Sequence, residues 1–331
     1  MDFDHPEGKA SSPTTSRPPS YSGPTAAMII LNYKDADNVI RLVTAVNQYP
    51  EVTRIIVVDN CSPDDSLARL LPLESAKVII MKSDRNGGYA YGNNFGVRIL
   101  QERFELTDYL LVVNTDITVS RDCIAGCLAY LERHPRAGLA APRMLNADGG
   151  PCRTTAWRHR SLLADGLRIS RTMTTLFRKT IWSASYYDET ELASEALPVD
   201  CVAGSFLAIR TTAFQEVGGF DNDTFLYYEE DILCWKLSRA NWQTWLLGVL
   251  SYLHFGRASI AQSFDIFSGE KQVHKSKKHY HYQHRHRGHA ALLFLDALLA
   301  IRTIEELSIV KSGFRGLSRL KSWLRGHPHQ R

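Results

Sequence analysis

At 331 residues, with 44% hydrophobic and 22% charged side chains, the chain has the composition of a globular protein and can bury one large core or two small ones. Its net charge of +4 is too small to mark a nucleic-acid binder. No run approaches the ~18 apolar residues of a membrane span, and the nearest, residues 290–301, is short and carries Asp296.

Residues 1–25 hold five prolines and five serines with few apolar residues, which reads as a disordered leader without the apolar stretch of a signal peptide. Six cysteines, Cys61, Cys123, Cys127, Cys152, Cys201 and Cys234, lack CxxC or other zinc spacing. Reduced thiols and a cytoplasmic location are expected.

Four apolar runs follow: AAMIILNY, RIIVVDNCS, KVIIMKSDRNGG and YLLVVNTD. They close on Asn32, Asp59, Asn86, and Asn114 with Asp116, at steps of 27, 27 and 28 residues. Short apolar runs at that spacing read as strands of repeated βαβ units. Ligands bind outside the carboxyl ends of strands in open parallel sheets, so the clusters should converge on one nucleotide-sized site. Between the runs, Val39, Leu42, Val43 and Val46 make a helical stripe in residues 35–48. Pro63-Asp64-Asp65 opens a second helix with acids where its dipole favours them. Helices over residues 91–103 and 121–133 and a strand over 138–142 complete this half. Residues 146–198 read as loops and short helices covering the sheet. Residues 199–210 read as a strand pair bent at Gly204. A helix over 211–217 leads to GGFD, and FLYYEEDILCWKLSRANW then carries a helical face at Leu233 and Leu237.

Each polar cluster has a functional and a plain reading. Asp59, with Asn60 behind it, can accept hydrogen bonds from a ribose or a base edge, or satisfy a helix N-terminal turn. In NGGYAYGNNFG, Gly87 and Gly88 can admit a phosphate at a helix N-terminus, or the glycines can serve tight helix–sheet packing. Neither a P-loop nor the GxGxxG fingerprint is present. Asp116 can hold Mg²⁺ or Mn²⁺ bridging diphosphate oxygens, with His254 as a second ligand, or it can cap the next helix. Glu229, Glu230 and Asp231 lie beside aromatic residues that can raise a carboxyl pKa towards that of a general base, or they can complement a helix dipole.

In order, NY, VDNCS, NGGYAYGNNFG, NTD, GGFD–FLYYEED and HFGRAS resemble the family 2 glycosyltransferases, especially the rhamnosyltransferase-like branch, over about residues 26–260. The resemblance implies an α/β GT-A fold, a mainly parallel Rossmann-like sheet flanked by helices. It divides the chain into a nucleotide-sugar half (26–145), an acceptor and catalytic half (146–260) and a basic helical C-terminal extension (261–331). It implies inverting transfer from a UDP- or dTDP-linked sugar, with rhamnose a candidate, to a hydroxyl of a glycan or polyprenyl-diphosphate-linked acceptor in cell-surface polysaccharide synthesis. Asn32, Asp59, Asn60, Asn86, Gly87, Gly88, Asn94, Asn114 and Thr115 would bind the donor. Asp116 and His254 would hold the metal, with Asn114 standing where the family's DxD-type motif has its first acid. The family's ED motif places the base at Glu230 or Asp231, and the alignment that makes Glu230-Asp231 the pair favours Asp231.

Residues 274–289 carry six histidines, three lysines and two arginines without an acid, a pattern that suits an anionic surface. Residues 301–324 alternate apolar and basic side chains like an interfacial helix. The protein is then peripheral at the inner face of the cell membrane. A core-packed or dimer-forming helix pair is the other reading. Two rival functions stand beside the transferase: a catalytically silent nucleotide- or carbohydrate-binding subunit, and a sugar nucleotidyltransferase. The latter wants a glycine-rich basic loop after the first strand, where LNYKDADN has none.

Overall fold

The computed structural model describes residues 22–256 and 266–325, and the side chains of 22–256 and 269–307. Most of the proline-rich leader, and Arg257, Ala258 and Ser259 of HFGRAS, lie outside the described residues, as do the side chains of residues 308–325 that were read as interfacial.

Among the described residues eleven strands form: β1 Ala26–Asn32, β2 Val52–Asp59, β3 Val78–Lys82, β4 Tyr109–Val113, β5 Ile117–Val119, β6 Ala137–Asn146, β7 Ala156–Trp157, β8 Leu197–Val199, β9 Cys201–Val202, β10 Phe206–Arg210 and β11 Gln243–His254. The first helices are α1 Ala36–Val46, α2 Ser66–Leu70, α3 Gly88–Arg103 and α4 Arg121–Arg133. Four short ones, α5 Leu162–Leu167, α6 Arg171–Leu176, α7 Arg178–Ser185 and α8 Glu189–Leu192, come next, with α5 and α6 packed on α7, and α9 Thr211–Glu216 and α10 Glu229–Arg239 follow. α11 Ile266–His279, a π turn Tyr280–His284 and α12 His289–Arg325 complete the described elements.

The main sheet runs β3-β2-β1-β4-β10-β6-β11-β5, with β8 on β11. β3, β2, β1 and β4 are parallel, as the βαβ spacing requires, and β10 enters antiparallel between β4 and β6. Both faces are covered, so the strands read as unbroken apolar runs. Met28, Ile30, Ile55 and Val57 pack on one face with α1 and α4, while Ala27, Ile29, Ile56 and Val58 pack on the other with α3. α3 lies so close that a Cβ on Gly92 would stand 2.2 Å from Leu31 Cδ1, and one on Gly96 2.7 Å from Ile29 Cγ2. These two glycines serve the packing reading. α3 also starts at Gly88, three residues before the expected 91, because its first turn lies within the glycine loop.

The C-terminal extension differs most from expectation. Several of its basic side chains face acids of the same chain, while Lys275, His286, Arg287 and His289 stay exposed. His281 Nε2 lies 2.9 Å from Asp165 Oδ2, both side chains 1% exposed, and Lys277 Nζ donates to Asp165 O at 3.1 Å. His274 and Lys278 share Asp296, at 2.8 and 2.7 Å, while His279 and His284 share Asp221. A run without an acid in sequence looked available to an anionic surface; the fold supplies the acids from α5, α12 and the GGFD turn.

Candidate active site

The carboxyl ends of β1, β2 and β4 meet as the spacing predicts, and the register sets Asn32 beside Asp59. Asn32 Nδ2 donates to Asp59 Oδ1 at 2.8 Å and to Ser62 Oγ at 3.3 Å, while its Oδ1 accepts Asp35 N at 3.2 Å. Asp59 Oδ2 accepts Ser62 N at 3.1 Å. Both residues are fully buried. Asn60 donates to Asn86 Oδ1 at 3.0 Å and Gly88 O at 3.2 Å, and accepts Ser83 Oγ at 3.2 Å. Asn94 holds Phe220 N and O, both at 3.0 Å. These four were assigned to the donor from sequence. The carboxamides of Asn32, Asn60 and Asn94 make these bonds within the protein, where they set the walls of the edge. Their short polar side chains bridge neighbouring loops whose backbone groups would otherwise be buried unpaired.

The glycine loop closes against the acid segment. Tyr89 N donates to Phe225 O at 3.0 Å, and Tyr89 Oη donates to Gly204 O at 2.7 Å. Gly88 has φ +83°, and a Cβ there would stand 1.9 Å from Phe225 O. The close approach that needs a glycine here is therefore to the protein's own backbone. Gly88→Ala is expected to lose about 2–4 kcal/mol from left-handed strain and collision, read as a lower urea midpoint. An unchanged midpoint would mean that the two segments do not pack this way.

The NTD cluster stands at the centre. Phe206 pairs with Val113, and Asn114 N donates to Ser205 O at 3.0 Å, so Gly204-Ser205 runs beside it. Asn114 is half-buried, and its side chain makes no hydrogen bond among the described residues. Thr115 Oγ1 donates to Asp35 Oδ2. Asp116 is buried. β11 sets His254 opposite Ile117, so His254 Nε2 lies 3.3 Å from Asp116 Oδ1. Burial raises the Asp116 pKa, but the hydrogen bond and charge of His254 and the Gly256 amide outweigh it and hold it below its ordinary value. An ionised oxygen beside an imidazole fits a divalent cation as two of six ligands, with diphosphate oxygens and water for the rest. Asp35 was missed from sequence except as the start of a helix. Burial and the charge of Asp116 raise its pKa against hydrogen bonds from Thr115 and Asn38. Its place directly behind NY, at a strand's carboxyl end, was the available signal.

The three acids of α10 separate into different environments. Tyr227 and Tyr228 both take left-handed backbone, at φ +70° and +72°. Consecutive aromatic residues in that region are strained and recur at functional sites. They turn the chain into α10. Glu229 is buried, and its Oε1 has no hydrogen-bond partner among the described residues; burial and Glu230 raise its pKa strongly. Glu230 is half-buried, and its Oε1 accepts Gly204 N at 3.3 Å. Burial and the charge of Asp231 raise its pKa. Asp231 is buried, and its Oδ1 accepts Trp157 Nε1 and Arg160 Nε, both at 2.8 Å. A buried carboxylate tied to a guanidinium and an indole is more encumbered as a proton acceptor than Glu230, which was the other candidate base. Trp157 and Arg160 were not singled out, because nothing in residues 146–198 marks them before the chain folds over α10, and Gly204 was read only as a bend between strands.

The model for "Glycosyl transferase family 2" matches residues 27–218. The low-salt glycan biosynthesis hexosyltransferase Agl10 of Haloferax volcanii is 27% identical over 225 residues, 65% of this chain and 62% of that protein. The N-acetylglucosaminyl-diphospho-decaprenol L-rhamnosyltransferase of Mycobacterium tuberculosis is 27% identical over 206 residues, 60% of this chain and 66% of that one. The chain thus spans a little under two thirds of each relative. A mannosyltransferase from Pyrobaculum calidifontis, solved with GDP-Man and Mn²⁺, superposes with a TM-score of 0.53 at 12% identity, covering 95% of this chain and 86% of its own. That likeness carries the GT-A fold.

Proposed function

The chain belongs to glycosyl transferase family 2, and from that premise we propose inverting transfer of a sugar from a UDP- or dTDP-linked donor to a hydroxyl of a glycan or lipid-linked glycan acceptor. The names of the relatives support a hexose, with rhamnose a candidate, and a place in the biosynthesis of a glycan or lipid-linked glycan; we place it in cell-surface polysaccharide assembly. The observation that carries the reading is the position of Glu230, tied to Gly204 beside the Asn114–Asp116 cluster.

In this reading the donor diphosphate lies over Asn114 and Asp116, and the acceptor hydroxyl faces Glu230. The acceptor oxygen attacks the anomeric carbon from the face opposite the diphosphate. The new C–O bond forms as the C–O bond to the diphosphate breaks, Glu230 takes the hydroxyl proton, and the configuration inverts. A raised pKa makes Glu230 a stronger base than an exposed carboxylate. Mg²⁺ or Mn²⁺, held by Asp116 and His254, would supply positive charge to the leaving diphosphate.

The first experiment is a thermal-shift panel of UDP-, dTDP- and GDP-sugars with and without each cation. The expected result is a selective, metal-dependent rise that Asp116→Ala abolishes. No rise with any donor would favour the silent-subunit reading.

No helix among the described residues is long and apolar enough to cross a membrane. We propose cytoplasmic, peripheral attachment through α5–α7 and the start of α12, which expose Leu163, Leu176, Phe177, Trp182 and Leu293 beside the exposed Arg178 and Lys179. Apolar insertion next to cations suits an anionic bilayer. Replacing Leu176 and Trp182 together with Glu is expected to abolish pelleting with anionic liposomes. Pelleting equal to the parent would eliminate this face.

A further inference from the structure

Asp221 ends the GGFD turn between α9 and α10. Its Oδ1 accepts Asp223 N at 2.9 Å, which orients Oδ2 towards the C-terminal segment. There Oδ2 meets His279 Nε2 at 2.9 Å and His284 Nε2 at 2.6 Å. Each of the three side chains is 16% exposed, so the cluster is shielded yet open to an ion from solvent. Among the described residues it is the one group of three His, Cys, Asp or Glu with donor atoms within 4.8 Å of one another.

The backbone is shaped to bring these imidazoles together. His279 closes α11 and His284 closes the π turn. Five positions apart on an α-helix, the two would be rotated by about 140°. A π turn closes with i→i+5 hydrogen bonds and recurs at functional sites. Here Arg285 N donates to Tyr280 O at 3.0 Å, and both histidines reach one face, with ring centres 5.5 Å apart. The two sides of the cluster are anchored separately. Trp235 Nε1 donates to His284 O at 2.7 Å, and Asn94 holds Phe220 next to Asp221. Anchors of this kind pre-position donor atoms.

We propose that Asp221, His279 and His284 form a site for a Zn²⁺-class divalent transition metal that staples the C-terminal helices to the GGFD turn. Two imidazoles and one carboxylate suit zinc, whereas Mg²⁺ prefers an all-oxygen set. Bonds of about 2.0 Å in a tetrahedron separate donors by roughly 3.3 Å, so each carboxylate–imidazole distance, 2.9 and 2.6 Å, needs to open by only about half an ångström. Water fills the fourth position. The site is chemically distinct from the Asp116–His254 pair, and it does not depend on the transferase reading.

The test uses full-length Asp116→Asn protein, which removes the other cation position, stripped with chelator and titrated with Co²⁺ and Zn²⁺. One equivalent is expected to bind, with the visible absorption of four-coordinate Co²⁺ and a melting-temperature rise of about 4 °C or more in excess Zn²⁺. His279→Gln and His284→Gln, made separately, are each expected to weaken binding at least tenfold and remove the rise. Asp221→Asn gives a third route if either glutamine variant melts early without metal. Absence of saturable binding in the stripped protein, or parental affinity in all three variants, would overturn the proposal. Because the readout is metal and not transfer, either result leaves the catalytic reading separately testable.

Discussion

Glu230→Gln is expected to lower kcat by roughly 10²–10⁴, the contribution of an ordinary general base, with donor affinity changed by less than about twofold. The substitution keeps the side-chain shape and its acceptor for Gly204 N, so the cluster should stay folded while the proton acceptor is lost. Burial and the Asp231 charge hold the Glu230 pKa above its ordinary value. The base acts as the carboxylate, so transfer should fall as pH drops through that raised pKa. This acid limb should vanish from the residual activity of Glu230→Gln. Initial rates across pH, with donor binding measured in parallel, decide the matter. Wild-type rates in Glu230→Gln would return the role to another acid.

Arg160→Leu is expected to destabilise the protein by about 3–5 kcal/mol, the usual cost of breaking a buried ion pair from one side. Arg160 Nε lies 2.8 Å from Asp231 Oδ1, and its Nη1 lies 3.8 Å from Asp165 Oδ1. The guanidinium also faces the rings of Trp157 and Tyr228 at 5.3 and 5.2 Å. Burial raises the Asp165 pKa, but His281, Arg160 and Lys277 together hold it below its ordinary value, so basic groups from three segments converge on it. Removing Arg160 leaves two buried carboxylates short of charge. For a chain of this size the melting temperature should drop by roughly 6–15 °C, with Arg160→Lys recovering part of the loss. A melting temperature within a degree of the parent would mean that these groups do not form a dry cluster.

Together these two variants separate chemistry from scaffolding within one acid run. In EED the sequence offered three carboxylates of similar character, and two alignments placed the base at Glu230 or, with a slight preference, at Asp231. The structure distributes them: Glu229 buried with an oxygen unpaired among the described residues, Glu230 half-buried against Gly204, Asp231 closed in an ion pair. Adjacent residues on a helix point about 100° apart, so neighbours in sequence meet different surroundings. Those surroundings come from Trp157 and Arg160, some seventy residues away in the chain.

The strand ends were legible for a different reason. A buried parallel strand must be apolar along its length and must stop where the backbone needs polar partners. Asn32, Asp59 and Asn114 therefore announce themselves at βαβ spacing, and α1, α4 and β4 follow from local pattern. The direction of each polar side chain at those ends did not follow. Asn32 and Asn60 bridge loops, and Gly88 makes room for Phe225 O.

By itself the sequence determined the order of the sheet-forming runs, the edge on which their polar ends converge and the motif order shared with family 2, because these depend on periodicity and turn chemistry within about thirty residues. Only the tertiary structure decided which acid is available beside Gly204, and that four histidines of the basic segment meet Asp165, Asp221 and Asp296. Each of these turns on charges brought together from distant segments. Electrostatics and desolvation depend on separation in space, which spacing along the chain does not record.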